Sequence, residues 1–153
     1  MGDYWSDAEN MVQRGVIKLP YTWQAGETAS YYLTQLRDEK KLWGKKCPKC
    51  GKVLAPPRKN CPFCTVLTDA WVELSGEGTV DTFTIIHRET NIHPMKPPFA
   101  YAIILLDGAD TGFLHVLGEV DEKKVEEGMR VKAVYAEERI GMPTDIAYFK
   151  PIE

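Results

Sequence analysis

Residues 47–64 read C-P-K-C-G-K-V-L-A-P-P-R-K-N-C-P-F-C, two Cys-x-x-Cys pairs separated by ten residues. A Cys-x-x-Cys pair in a tight turn points both sulfurs at one spot. Two such turns facing each other supply four thiolates at the corners of a tetrahedron, the closed coordination that structural Zn²⁺ prefers. Pro48 and Pro62 stiffen the turns, and Gly51 follows the second cysteine where the chain must bend back. The spacing predicts a zinc ribbon with Cys47, Cys50, Cys61 and Cys64 as ligands. These are all the cysteines of the chain, so no thiol is left to act as a nucleophile. A closed Cys₄ site also has no position for water or substrate, so the expected metal is structural.

Three other uses of this pattern compete with zinc. Two disulfides require an oxidising compartment, to which nothing here points. A redox pair uses one Cys-x-x-Cys at a strand-to-helix junction rather than two matched pairs. Iron is the strongest rival, because C-x-x-C-G with C-P-x-C resembles rubredoxin knuckles. Rubredoxins place their knuckles much further apart, and the ten-residue spacer is that of a compact ribbon.

The 153 residues suffice for a small module plus a compact barrel. A formal charge of −3 argues against whole-molecule affinity for nucleic acid. The charge is unevenly placed. Residues 37–59 hold nine basic and two acidic side chains, a local excess of seven positive charges, which leaves ten net negative charges on the remainder. A basic ribbon beside an acidic body can attract a phosphate-bearing ligand or an acidic partner surface, or be a solvated face. The first residues are acidic and lack a signal peptide's basic start and apolar run. No window approaches the roughly 20 apolar residues that span a bilayer. With reduced cysteines, this sets the expectation of a cytoplasmic protein.

Residues 1–27 form an N-terminal extension with scattered large apolar groups (Tyr4, Trp5, Met11, Val12, Val16, Ile17, Leu19, Tyr21, Trp23), richer in aromatics than a disordered tail. Residues 7–14 suit a short helix and residues 19–23 an extended stretch. The extension is too short for its own core, so it is expected to pack on the ribbon or on a partner. Residues 28–44 read as an amphipathic helix, with Thr28 at the cap and Gly44 just past the end. Leu33, Leu36 and Trp43 share one side with Tyr32 alongside, a face that packs on the chain's own ribbon or docks on another subunit.

The ribbon spans residues 45–67, and residues 68–153 read as strands. Alternation marks the first at 78–88, after the bend residues Gly76 and Gly78. Residues 90–98 hold three prolines and form a loop. The run 99–106 is nearly all apolar, which predicts burial on both faces. Further strands are expected at 112–119, 130–137 and 145–150, with a short helix over 121–127 between the third and fourth. Five strands with a helix in that position is the order of an OB-fold, a partly open Greek-key barrel. The predicted class is therefore mainly β: an N-terminal helical segment, a Cys₄ zinc ribbon and a C-terminal five-stranded OB-fold barrel.

This order of parts resembles the DUF35 family of zinc-ribbon and OB-fold proteins associated with acyl-CoA metabolism. The resemblance rests on L-W-G-K-K-C at 42–47, P-P-R at 56–58 with C-P-F-C at 61–64, S-G-E-G-T-V at 75–80, and G-M-R-V at 128–131. It covers residues 28–150. It implies a small accessory subunit of a hetero-oligomer whose catalytic member is a thiolase, an HMG-CoA synthase or an acyl-CoA hydratase, and which helps shape the acyl-CoA site. Thiolytic cleavage of an aromatic acyl-CoA, such as benzoylsuccinyl-CoA, is one context. A thiolase needs an activated cysteine, and every cysteine here is committed, so no activity is expected of the chain alone.

CoA presents phosphates, an adenine and an apolar arm, so a contact surface needs cations, aromatic plates and apolar walls. Candidates are Arg58 and Lys59 on the ribbon, and Arg88, Lys96, Phe99 and Tyr101 at one barrel mouth. Partner-binding candidates are Tyr32, Leu33, Leu36 and Trp43. His87, His93 and His115 have no nucleophile or carboxylate at motif spacing, so no catalytic residue is assigned. A single-stranded nucleic-acid module is the alternative, requiring Phe99, Tyr101 and Phe113 to be free for stacking.

Overall fold

The computed structural model describes residue 9 and residues 11–152. One helix, α1 (Glu27–Glu39), precedes eight strands: β1 (Leu42–Lys46), β2 (Val53–Leu54), β3 (Trp71–Leu74), β4 (Glu77–Ile86), β5 (Phe99–Leu106), β6 (Gly112–Leu117), β7 (Arg130–Tyr135) and β8 (Ile146–Pro151). Single 3₁₀ turns lie at Glu122–Lys124 and Pro143–Asp145. No helix among the described residues is long and apolar enough to cross a membrane.

The last five strands close into a barrel in the order β4-β5-β6-β8-β7, with β4 paired to both β5 and β7. With the 3₁₀ turn between β6 and β7, this is OB-fold topology. The turn is capped by Asp121, whose carboxylate accepts from the Lys123 amide at 3.0 Å. The long β4 bends around the barrel through a register shift between Val80 and Thr82. Gly78 sits where β4 crosses β5, and an added Cβ would lie 2.6 Å from the Leu105 carbonyl oxygen. The expected burial of both faces of β5 does not hold. Its inner side chains Ala102, Ile104 and Leu106 are buried, while Ile103 and Leu105 on the outer wall are exposed. In a closed barrel only one face of a strand meets the core.

β1, β2 and β3 form a separate antiparallel sheet in the order β2-β1-β3. Its presence corrects the helix boundary. The chain leaves α1 at Lys40, which takes a left-handed conformation (φ 54°), and the Lys41 amide turns back to the Gln35 carbonyl. Residues 42–45 then pair in register with 71–74. Trp43 and Gly44 are thus strand residues, and Gly26, with φ 81° and no side-chain cap, starts the helix in place of Thr28. Pairing between distant segments overrides the local helical spacing of residues 33–43. Of the helix expected at 7–14, the described residues 9 and 11–14 have no regular structure, and the rest, with Tyr4 and Trp5, lies outside the described residues.

One core runs through the assembly. Leu36 of α1, Leu42 of β1, Leu74 of β3 and the inward residues Val80, Ile104, Leu106, Val131, Ile146 and Phe149 belong to a single buried cluster. A smaller cluster of Cys47, Leu54 and Cys61 fills the ribbon.

Candidate metal centre and apolar groove

The two knuckles have the same backbone wiring. In the first, the Gly51 amide donates to the Cys47 carbonyl and the Cys47 amide to the Lys52 carbonyl, both at 2.9 Å. In the second, the Thr65 amide donates to the Cys61 carbonyl and the Cys61 amide to the Val66 carbonyl, again at 2.9 Å. Gly51 and Thr65 occupy equivalent left-handed positions, φ 76° and 54°. The sequence signals Gly51; Thr65 performs the same turn without a glycine.

This wiring brings all four sulfurs within 4.8 Å of one another, with Cys50 Sγ and Cys61 Sγ 3.8 Å apart. A zinc–sulfur distance of about 2.3 Å implies sulfur–sulfur edges of about 3.8 Å in a tetrahedron. The donor set therefore fits a structural zinc ion. The knuckle amides tune the ligands: hydrogen bonding from the backbone of Cys50 and Lys49 draws the Cys47 thiol down to about 7. Burial, with Cys50 beside it, pushes Cys64 up to about 12. Four adjacent thiolates require a cation to offset their repulsion, which zinc supplies when bound.

A groove of about 580 Å³ opens on the barrel wall. Its cause is topological. β6 and β8 run parallel and share one register pair, Leu117 with Phe149; the segments that precede it on both strands do not pair. Leu114, His115 and Val116 line it from β6, Pro143, Thr144, Ile146 and Ala147 from β8 and the turn before it, and Ile92, Pro94 and Tyr101 complete the lining. His115 packs on Phe149 with ring centroids 5.4 Å apart. Burial lowers its pKa from the ordinary imidazole value, and its Nδ1 has no hydrogen-bond partner among the described residues. The groove thus presents apolar walls and one neutral imidazole. Sequence inspection did not find it, because it arises from the divergence of strands some 30 residues apart.

Two family models match the chain: the ChsH2 rubredoxin-like zinc ribbon domain over residues 34–66, and the ChsH2 C-terminal OB-fold domain over residues 71–136. A DUF35 domain-containing scaffold protein of Methanocaldococcus jannaschii is 36% identical, covering 73% of this chain and 82% of its own length. The chain belongs to the DUF35 family. A second DUF35 scaffold protein, from Pyrococcus furiosus, is 30% identical over 69% of this chain and 76% of its own. Among solved structures, a DUF35 protein of unknown function from Sulfolobus solfataricus superposes with a TM-score of 0.58 at 27% identity, covering 71% of this chain and 78% of the other. A chain of the Ltp2-ChsH2(DUF35) aldolase shares the fold with a TM-score of 0.59 at 23% identity, covering 84% of this chain and 98% of the other.

The structure distributes the residues suggested by the DUF35 resemblance over several environments. Arg58 and Lys59 are exposed on the ribbon, where the Thr68 hydroxyl donates to the Arg58 carbonyl at 2.6 Å and fixes the loop beneath them. Arg88 and Lys96 are exposed in the loop that carries Ile92 and Pro94 to the groove. Tyr101 reaches that groove, whereas Phe99 is only 4% exposed and packs edge-on against Tyr101 and His93. Phe113 is buried as well, so two of the three aromatics needed for nucleic-acid stacking are not free to stack. Tyr32 and Leu36 are spent on this chain's own core, with Leu33 packed beside them. They do not form a free docking face: a helix lying on its own barrel buries its apolar side there. Trp43, on β1, packs against the same core. It joins Tyr31 and Trp71 in an aromatic cluster, with Lys45 Nζ 5.2 Å from the Trp71 ring centre.

Proposed function

We propose that this chain is the non-catalytic scaffold subunit of a CoA-thioester-processing complex, seated against a thiolase-type catalytic subunit. The observation that carries this reading is the convergence of every cysteine on one closed site. That arrangement leaves a member of an acyl-CoA-associated family without the nucleophile the chemistry needs. The relatives described as scaffold proteins support it, as does the shared fold with a DUF35 chain of an aldolase.

The groove between β6 and β8 is this chain's contribution to the acyl site. Its apolar walls suit an aromatic acyl group such as that of benzoylsuccinyl-CoA, and Arg88 and Lys96 in the adjoining loop meet CoA phosphates. Arg58 and Lys59 offer a second cationic surface on the ribbon. A hydratase or an HMG-CoA synthase would use the same scaffold.

The test is reconstitution. The isolated, metal-loaded chain is expected to turn over no acyl-CoA, and the thiolase-type subunit that co-purifies with it from its native cell to need it for full activity. Turnover by the chain alone, or a catalytic subunit indifferent to its presence, overturns the reading.

A further inference from the structure

Seven large apolar side chains in residues 11–23 stand 72–89% exposed: Met11, Val12, Val16, Ile17, Leu19, Tyr21 and Trp23. The stretch precedes the residues matched by the family models, which begin at residue 34. Its last part is patterned. From Ile17 to Trp23 the odd positions are Ile, Leu, Tyr and Trp, and the even ones Lys18, Pro20 and Thr22. Such alternation places one apolar row on one face of an extended chain. The rings of Tyr21 and Trp23 lie 5.5 Å apart, as same-face neighbours do.

Pro20 adds a direction. In an extended strand the amides of odd and even residues point to opposite edges, and proline is tolerated only on the edge that makes no ladder bonds. Pro20 therefore marks the even edge as the outer one and leaves the amides of residues 17, 19, 21 and 23 to pair. The segment has the form of an edge strand that joins a sheet through one side and ends it.

Resting on the scaffold reading above, we propose that residues 17–23 add as an edge strand to a sheet margin of the catalytic subunit, with Ile17, Leu19, Tyr21 and Trp23 seated in an apolar channel beside that margin. The chain's own sheets offer shorter places. β2 is already covered by Asp110 and Thr111, which hydrogen-bond to Val53 and Ala55. β3 has four residues, with Glu73 held by Lys41. The open side of β6 spans residues 112–116. The seven-residue strand outruns each of them and, at about 3.3 Å per residue, reaches about 20 Å. Strand addition supplies backbone pairing, and the alternate side chains supply selectivity.

Parity is the test, read as the dissociation constant between the full-length, metal-loaded chain and the purified thiolase-type subunit. Leu19→Asp and Trp23→Asp are each expected to weaken the complex about 30-fold or more, and Lys18→Asp and Thr22→Asp less than about 3-fold. Tyr21→Pro is expected to weaken it well beyond Tyr21→Ala, whereas Thr22→Pro leaves it nearly unchanged. Zinc content and the circular dichroism of the body stay constant in all variants, because the segment lies outside the core. Equal effects at odd and even positions, or none, overturn the strand while leaving the scaffold reading intact. Self-association of the isolated chain that the odd-face variants abolish assigns the strand to a second copy and also overturns the proposal. A wild-type chain that binds no catalytic subunit overturns both.

Discussion

The Ala55 amide donates to the Thr111 hydroxyl at 2.8 Å, and that hydroxyl donates back to the Ala55 carbonyl at 2.9 Å. One side chain of the barrel thus satisfies both backbone groups of a ribbon residue that is only 2% exposed. Its neighbour Asp110 repeats the pattern: its carboxylate accepts from the Val53 amide and its own amide donates to the Val53 carbonyl, both at 2.8 Å. Ribbon and barrel are clasped as two strands would be. Thr111→Val keeps the shape and strands two backbone groups, so a loss of about 1–3 kcal/mol in denaturant unfolding is expected. Thr111→Ser is expected to retain most of that stability, which separates the hydroxyl from the methyl.

The ribbon holds few buried apolar groups apart from its ligands, the small cluster of Cys47, Leu54 and Cys61 with Cys64 and Val66 against it. Metal must therefore supply most of its folding free energy. In Cys61→Ser, elemental analysis is expected to show zinc falling from about one per chain to near zero. Hydrogen exchange should then accelerate at the Cys47, Gly51 and Cys61 amides while the amides of β5 and β6 stay protected. The same elemental analysis distinguishes zinc from iron.

Arg130 grips Asp107 with two nitrogens, at 2.8 and 2.6 Å, and reaches Thr79 Oγ1 at 3.1 Å. The hydrogen bonds first, then the guanidinium charge, hold the Asp107 carboxyl below its ordinary value. A carboxylate depressed in the folded state adds stability above its unfolded pKa of about 3.9, and loses it as pH falls through the lower folded value. Wild type is thus expected to exceed Asp107→Asn in stability at pH 7, with the two curves converging as the pH drops below about 4. Denaturant titrations across that range check the sign. The pair is half exposed, so the gap is small and shrinks with added salt.

Asp145 is a buried carboxylate, 1% exposed, that accepts from the Ile140 amide at 3.0 Å and the Gly141 amide at 2.8 Å. The loop it shapes positions Arg139, whose Nε donates to the Arg37 carbonyl at the end of α1. Asp145→Ala is expected to cost roughly 1–3 kcal/mol, because two loop amides lose an acceptor that is itself buried. Faster hydrogen exchange in the last turn of α1 would show the helix loosening from the barrel. Unchanged exchange there would mean that the packing of Leu36 alone holds the helix.

What was legible in the residues was local. The knuckles are written in cysteine spacing, and β5 is bounded as expected at Phe99 and Leu106 because Pro98 and Asp107-Gly108 punctuate an apolar run. The barrel order followed from counting strands around the turn that Asp121 caps. The sheet of β1, β2 and β3 was hidden, since L-W-G-K-K carries no alternation and its partner lies 30 residues away, Trp43 against Glu73. The groove was hidden too. Leu114 and His115 become its wall only because β6 and β8 stay unpaired until they meet at Leu117 and Phe149. Asp145 gave no signal, being an ordinary acid next to a proline turn until two amides converge on it.

Gly44 offers the sharpest contrast between a local and a tertiary reading. At a helix end its role would be a left-handed turn, and alanine would cost about 1 kcal/mol through backbone strain whatever surrounds it. In β1 it lies against β2, where an added Cβ would come within 2.6 Å of Val53 Cγ1 and 3.2 Å of the Leu54 carbonyl oxygen. Gly44→Ala is therefore expected to cost roughly 1–3 kcal/mol by overpacking and to weaken zinc retention, because β1 runs directly into Cys47. Val53→Ala removes the nearer contact, so the double variant is expected to recover part of the loss, the carbonyl contact keeping recovery incomplete. Strict additivity of the two substitutions in a double-mutant cycle would place the cost in the backbone of Gly44 and refute the packing account.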